Sequence, residues 1–329
     1  MKQFLSFLLL MFLLSSCDDG ELTQVSFDFD ETPAIQCGTD TDDFFIFKTQ
    51  DKRALIIQIP EINFPNRLTA DEDTPPETLF INGSTIRLIY REYSGTVSAN
   101  AICSTVPPAT PIVVQEREAT EGQITITTTA IKTEPDANGV TQITHFLHTL
   151  TFNDLVFELD DENKQINEAF TQITYRTPAT AFTNFSNLTG VRSCDNKPNY
   201  LFKFLDKQAL VLDLSDEDVA ALFTNEPGPK IRYFSDDTKL QHLFYDTTLA
   251  FLNVDYFCAD SQPTNPQVID TFTSVNGVDG ESGIIEVTTL TSDNGFKHTI
   301  VLKNVRLAKG TLTRQLGNEY IFGEFETLN

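Results

Sequence analysis

Four cysteines in two evenly spaced pairs constrain this chain more than any other feature. Cys37 and Cys103 lie 66 residues apart, and Cys194 and Cys258 lie 64 apart. The residues around them repeat in the same order. Asp51-Lys52-Arg53-Ala54-Leu55-Ile56-Ile57 follows Cys37, and Asp206-Lys207-Gln208-Ala209-Leu210-Val211-Leu212 follows Cys194. Ile86-Arg87 and Ile231-Arg232 come next, then the Thr-rich runs Ile124–Thr129 and Ile284–Thr289. Phe146–Phe157 finally aligns without a gap with Phe296–Leu307. A chain with these ordered matches is a tandem duplication, so any fold adopted by one half must also suit the other. With Cys17 near the N-terminus set aside from the chain's five cysteines, the even count that remains reads as disulfides, and four cysteines allow three connectivities. The matched spacing favours one bridge per half, Cys37–Cys103 and Cys194–Cys258. No CxxC or clustered Cys/His spacing supports metal binding instead.

Period-two alternation recurs along both halves, in Ala54–Ile59, Thr85–Tyr90, Gln123–Ile131, His145–Phe152, Leu252–Cys258, Gly283–Leu290 and Phe296–Leu302. Pro and Gly clusters separate these runs, and Asn138-Gly139 and Asp293-Asn294-Gly295 are hairpin candidates at matching places. One helix is expected at 216–223, where Ser215 can cap, Asp216, Glu217 and Asp218 fill the first turn, and an apolar run follows. Long helices do not alternate with the strands, which argues against parallel crossover units. The expected fold is therefore all-β, a tandem pair of antiparallel sandwich or barrel-like domains of about six to nine strands each. The expected division is a signal at 1–16, a tether at 17–26, a first domain at 27–160, a linker at 161–184 and a second domain at 185–327. The polar stretch Asp161–Ser186 contains Pro178, and its Ile173-Thr174-Tyr175-Arg176 could form an edge strand.

The N-terminus carries an address. After Lys2, Phe4–Leu14 is apolar except for Ser6, which suits a secretory signal and falls well short of the roughly 20 residues a spanning helix needs. The run ends in Leu14-Ser15-Ser16-Cys17, which resembles the lipobox of bacterial lipoproteins. That resemblance implies cleavage before Cys17 and acylation of this residue, with acyl chains worth roughly 0.8 kcal/mol per buried CH₂ as the membrane anchor. Asp18, Asp19 and Glu21 follow at once and resemble the surface-export signal of Bacteroidota lipoproteins, which implies an outer-membrane, surface-exposed protein. Asp246-Thr247-Thr248 resembles the short O-glycosylation motif of exported Bacteroidota proteins, although an unmodified strand start suits it better.

Charge and composition narrow the partners. The chain carries a net −24, which repels phosphate backbones and anionic head groups and argues against nucleic acid. Trp is absent, so stacking on sugars would rest on the eight Tyr. His145, His148, His242 and His298 are the only histidines, and His148 and His298 share one repeat position. Retention in both copies invites a metal or catalytic reading. A strand position at which an imidazole hydrogen-bonds a neighbour explains it better, and no HExxH occurs. Among the acidic clusters, Asp40/Asp42/Asp43, Asp71/Glu72/Asp73, Asp160/Asp161/Glu162, Asp216/Glu217/Asp218 and Asp236/Asp237, none fits the twelve-residue calcium loop. No GxSxG, phosphate loop or nominated carboxylate pair supports catalysis. The expectation is a lipid-anchored envelope protein without cofactor that acts by binding, either within a membrane protein complex or on an extracellular ligand. An extracytoplasmic hydrolase or carbohydrate-active protein is the alternative, and a calcium-stabilised adhesin is a further one.

Overall fold

The computed structural model describes residues 29, 33–37, 44–69, 75–160, 163–166 and 172–328. The signal, Cys17 and its tether lie outside these residues, as do Asp40/Asp42/Asp43, Asp71/Glu72/Asp73, Asp161 and Glu162. Among the described residues the chain is all-β with short helices, in two nine-stranded sheets. No described helix is long and apolar enough to cross a membrane.

The first sheet comprises β1 (Ile35–Cys37), β2 (Phe45–Gln50), β3 (Arg53–Gln58), β4 (Glu77–Phe80), β5 (Arg87–Tyr93), β6 (Val113–Lys132), β7 (Ile143–Asp160), β8 (Asn163–Ile166) and β9 (Gln172–Pro178). Its order is β1-β2-β3-β5-β6-β7-β8, with β4 on β6 and β9 on β7. The second comprises β10 (Arg192–Cys194), β11 (Lys197–Leu205), β12 (Gln208–Asp213), β13 (Gly228–Tyr233), β14 (Lys239–Asp246), β15 (Gln267–Ser274), β16 (Ile284–Ser292), β17 (Gly295–Lys309) and β18 (Leu312–Leu328). Its order is β10-β11-β12-β14-β15-β17-β16-β13, with β18 on β17. The long β6 of the first sheet corresponds to β15 and β16 of the second, separated by the turn-rich stretch around Asn276-Gly277.

The duplication extends to backbone detail. Asp51 and Asp206 open the β2–β3 and β11–β12 turns at φ 50° and 52°, and Asp154 and Asn304 interrupt β7 and β17 at φ 54° and 50°. Asp and Asn enter the left-handed region more readily than other residues with a Cβ, so both copies use them at these bends. A cis X-Pro bond also follows the second cysteine at the same distance in each half, at Thr110–Pro111 and Asn265–Pro266.

The disulfides are Cys37–Cys103 and Cys194–Cys258, as the spacing predicts, with Cα atoms 5.3 and 5.4 Å apart. Both second cysteines end a short helix, α1 (Ala99–Cys103) and α3 (Val254–Cys258). The expected helix is α2 (Asp216–Leu222), where the Ser215 hydroxyl accepts from the Asp218 N–H at 3.1 Å. The fold thus holds more than the one helix expected, and Leu252–Cys258 is not a strand. Asn253 caps α3 by accepting from the Tyr256 N–H at 2.8 Å. The adjacent Tyr256 and Phe257 are both buried, which alternation along a half-buried strand would not allow.

These helices explain why β3 and β12 are apolar on both faces. Leu55 and Ile57 enter the main core of the first repeat, whereas Ala54 and Ile56 face a smaller cluster with Ala101 and Ile102 of α1. Leu210 and Leu212 enter the main core of the second repeat, and Ala209 and Val211 meet Tyr256 and Phe257 of α3. The disulfide pins the helix over what would otherwise be a solvent face.

Two compact units result. One contains the described residues of 1–65, 76–127 and 148–175, and the other contains 66–75, 128–147 and 176–329. The repeat division and the compact units therefore partition the chain differently: the tip of the β6–β7 hairpin belongs to the second unit. Within the stretch expected as a linker, β9 alternates buried and exposed positions and pairs with β7, so the first sheet continues to Pro178.

Candidate functional site

The second unit holds a cavity of about 550 Å³ between the loop that precedes β10, the start of β18 and the β6–β7 hairpin tip. Two side chains of the sheet hold the loop in place. The Gln208 amide donates to Ala181 O at 2.9 Å, and its carbonyl oxygen accepts from the Thr183 N–H at 2.8 Å. The Lys203 ammonium donates to Phe322 O at 2.6 Å, and to Phe185 O and Leu188 O at 3.3 and 3.4 Å. Burial pushes this ammonium down to about 8, while three carbonyls and the rings of Tyr320 and Phe322, about 5 Å away, surround it. On the opposite wall the hairpin tip is tied to β18 by Asn318 N–H to Asn138 O at 2.7 Å. Gly139 there has φ 77°, and a Cβ would run into the Asn318 amide.

Three polar groups lining this cavity have buried atoms without hydrogen-bond partners. They are Arg314 (Nε and Nη1), Tyr320 (OH) and His242 (Nδ1). Arg314 is 5% exposed, its Nε and Nη1 have no hydrogen-bond partner among the described residues, and its guanidinium carbon lies 3.9 Å from the centroid of Phe182. Burial lowers its pKa to about 10, so it remains charged at neutral pH. Burial raises the Tyr320 phenol well above its ordinary value, leaving it a neutral hydroxyl. His242 is 1% exposed within rings of Phe182, Phe185 and Phe244, at centroid distances of 5.0, 5.5 and 5.0 Å. Burial, and then the Arg314 charge, lower its pKa to about 3. Its Nε2 is 2.8 Å from Gln208 Oε1, which can only accept, so Nε2 carries the proton and Nδ1 presents a lone pair. Asp136 and Glu319 also line the cavity, and the Asp136 carboxylate already accepts from the N–H groups of Asn138 and Val140 at 2.8 and 2.9 Å.

An unpaired buried donor costs about 1–3 kcal/mol, and an unpaired buried charge costs more. A fold that keeps Arg314 without a carboxylate therefore tolerates a local penalty at a concave site. Chemically, the cavity combines the Arg314 cation, the Tyr320 hydroxyl and the His242 lone pair with aromatic and aliphatic side chains and with further polar lining from Asn138, Gln142, Asn184 and Ser186.

The histidines singled out by the repeat are placed differently. His298 Nδ1 lies 2.9 Å from Thr289 Oγ1 and its Nε2 lies 2.9 Å from Thr327 Oγ1, so both ring nitrogens are engaged. His148 is fully buried against Phe64 and Tyr175, and burial lowers its pKa to about 4. His145 is exposed. No cluster of three or more metal-ligating side chains forms among the described residues. Neither Arg314 nor Tyr320 stands out in a motif, yet a signal was present. Leu312, Arg314 and Leu316 alternate on one strand face, which places an arginine in an apolar row.

No protein-family model matches this chain, and neither a curated protein nor a solved structure matches it.

Proposed function

We propose that this chain is a non-catalytic envelope protein, anchored to the outer membrane through acylated Cys17, that acts by binding a ligand in the cavity of its second unit. The observation that carries the reading is the buried, unpaired Arg314 at that cavity. Structural arginines are normally paired, and an unpaired one at a pocket is a standing recognition element. The two disulfides support an oxidising compartment, in accord with the lipobox resemblance. Ligand binding is favoured over a purely structural place in a membrane complex because the three residues with unpaired buried atoms all line one cavity. The hydrolase alternative draws less support, since Asp136 is committed to its own turn.

The test is purification from native membranes in mild detergent, followed by mass spectrometry of what denaturation releases. A small molecule near one per chain, lost in a cavity-filling Leu316→Trp variant that still folds, is the expected result. A stoichiometric protein partner with no released small molecule would instead make the chain a complex subunit.

A further inference from the structure

We propose that the cavity of the second unit takes a small organic carboxylate, its oxyanion on the Arg314 guanidinium and the Tyr320 hydroxyl, and its apolar body against Phe182, Leu210 and Leu316. This inference rests on the binding reading above and assigns the ligand class.

Arg314 is the only arginine in the buried class among the described residues. The chain has 47 acidic residues, and other cations use them: Arg87 meets Glu118 and Arg91 meets Glu116, at 2.7 and 2.6 Å. The most deeply buried guanidinium is nevertheless left without one. The Arg314 guanidinium carbon lies 3.9 Å from the Phe182 ring centroid, and the N–H groups around a guanidinium rim form a planar array that matches a carboxylate in two parallel hydrogen bonds. Tyr320 adds a neutral donor whose buried hydroxyl is also unpaired.

Charge balance separates carboxylate from phosphate. One buried cation neutralises one negative charge, and Asp136 and Glu319 on the same cavity would repel the second charge of a phosphate. Phe182, Leu210 and Leu316 supply an apolar wall that suits a hydrocarbon or ring, beside polar lining from Asn138, Gln142, Asn184 and Ser186. A cavity of about 550 Å³ lies within the usual range for small ligands, roughly 300–1,000 Å³.

The experiment is calorimetric titration of the purified full-length protein with benzoate, hexanoate, benzamide and inorganic phosphate. Saturable binding of benzoate or hexanoate is expected, with benzamide and phosphate at least tenfold weaker. Arg314→Met should lose at least tenfold in carboxylate affinity, and Tyr320→Phe should lose less. Circular dichroism would verify that both variants are folded. Equal affinity for benzoate and benzamide, unchanged carboxylate binding by Arg314→Met, or tighter binding of phosphate would each overturn the proposal. So would the absence of carboxylate binding at millimolar concentration. A neutral molecule released from the native protein would then leave the binding reading standing with its ligand class corrected. With no released small molecule as well, both would fall.

Discussion

Arg314→Met should make the ligand-free protein more stable, an unusual direction for a buried substitution. The lowering of the guanidinium from 12.5 to about 10 by burial corresponds to roughly 3 kcal/mol against the charged form. Its contact with Phe182 at 3.9 Å returns about 1–2 kcal/mol, the range for a desolvated cation over a ring. Met preserves the length and apolar stem of the side chain between Leu312 and Leu316, and it brings no charge that needs a partner. The net expectation is a gain of about 1–2 kcal/mol, in line with other replacements of buried ions by apolar residues.

Urea denaturation reads this gain as a midpoint shift. With typical slopes of about 1–3 kcal/mol per molar, the midpoint should rise by roughly 0.3–2 M at unchanged slope. The chain has no Trp, so tyrosine fluorescence and circular dichroism are suitable probes. If the units unfold in separate steps, the gain belongs to the step of the unit that contains β18. Arg314→Lys retains a buried charge and should show no such gain. A loss of 1 kcal/mol or more in Arg314→Met would refute the reasoning: the arginine would then be a structural strut, and the ligand argument would lose its main support.

Acid should weaken the fold through its buried histidines. Burial lowers His242 to about 3 and His148 to about 4, so the unfolded chain takes up protons below about 6.5 that the folded one refuses; stability is full above that pH and falls by about 2 kcal/mol per histidine at pH 5, which urea midpoints at pH 7 and 5 would measure. His242→Gln should remove its share of this dependence, and midpoints equal at both pH values would contradict the expectation. Replacing Cys37 and Cys103 together by Ser should cost the first repeat about 4 kcal/mol through the lost restriction of a 66-residue loop, and an unchanged urea midpoint would oppose this. A chelator should leave the melting temperature unchanged, since among the described clusters Asp218 pairs with Arg232 at 3.1 Å, Asp216 accepts from Asn199 and Asp236 accepts from Asn276 at 3.2 Å; a fall would favour the calcium reading. Palmitate labelling should disappear in Cys17→Ala, and persistent labelling would remove the anchor.

The all-β class, the helix at 216–222 and the disulfide pairing were legible because each rests on a local or repeated pattern: alternation, a capped acidic turn and spacing that recurs. The short helices at 99–103 and 254–258 were not, because five residues are too few for helical periodicity to show. What sets them is the tertiary demand to cover Ala54 and Ile56, or Ala209 and Val211, beneath a disulfide. The cavity of the second unit was hidden for a related reason. Its parts come from 136–142, 182–189, His242 and 314–321, and only the fold brings them together. Repeat symmetry drew attention to His148 and His298, positions common to both halves, whereas the unpaired groups occupy positions where the halves differ.

That contrast separates what the two copies share from where they diverge. Lys48 and Lys203 are equivalent: each is buried and donates to the carbonyl of a fully buried Phe, Phe29 at 2.9 Å and Phe185 at 3.3 Å, so both copies retain the same clasp on an entering segment. The cavity positions diverge. Leu55 pairs with Tyr90 where Leu210 pairs with His242, and Tyr90 donates its hydroxyl to Glu92 at 2.7 Å, a satisfied arrangement. Phe157 pairs with Gln165 where Leu307 pairs with Arg314, so the first copy has no cation at the matching register. The lysine clasp was kept twice, whereas the three groups with unpaired buried atoms at this cavity, His242, Arg314 and Tyr320, belong to the second copy; the first copy has unpaired buried atoms of its own at Tyr93 and Arg117. The first repeat builds a related sheet without the cation of Arg314, with two strands, β8 and β9, on β7 where the single β18 that carries Arg314 lies on β17.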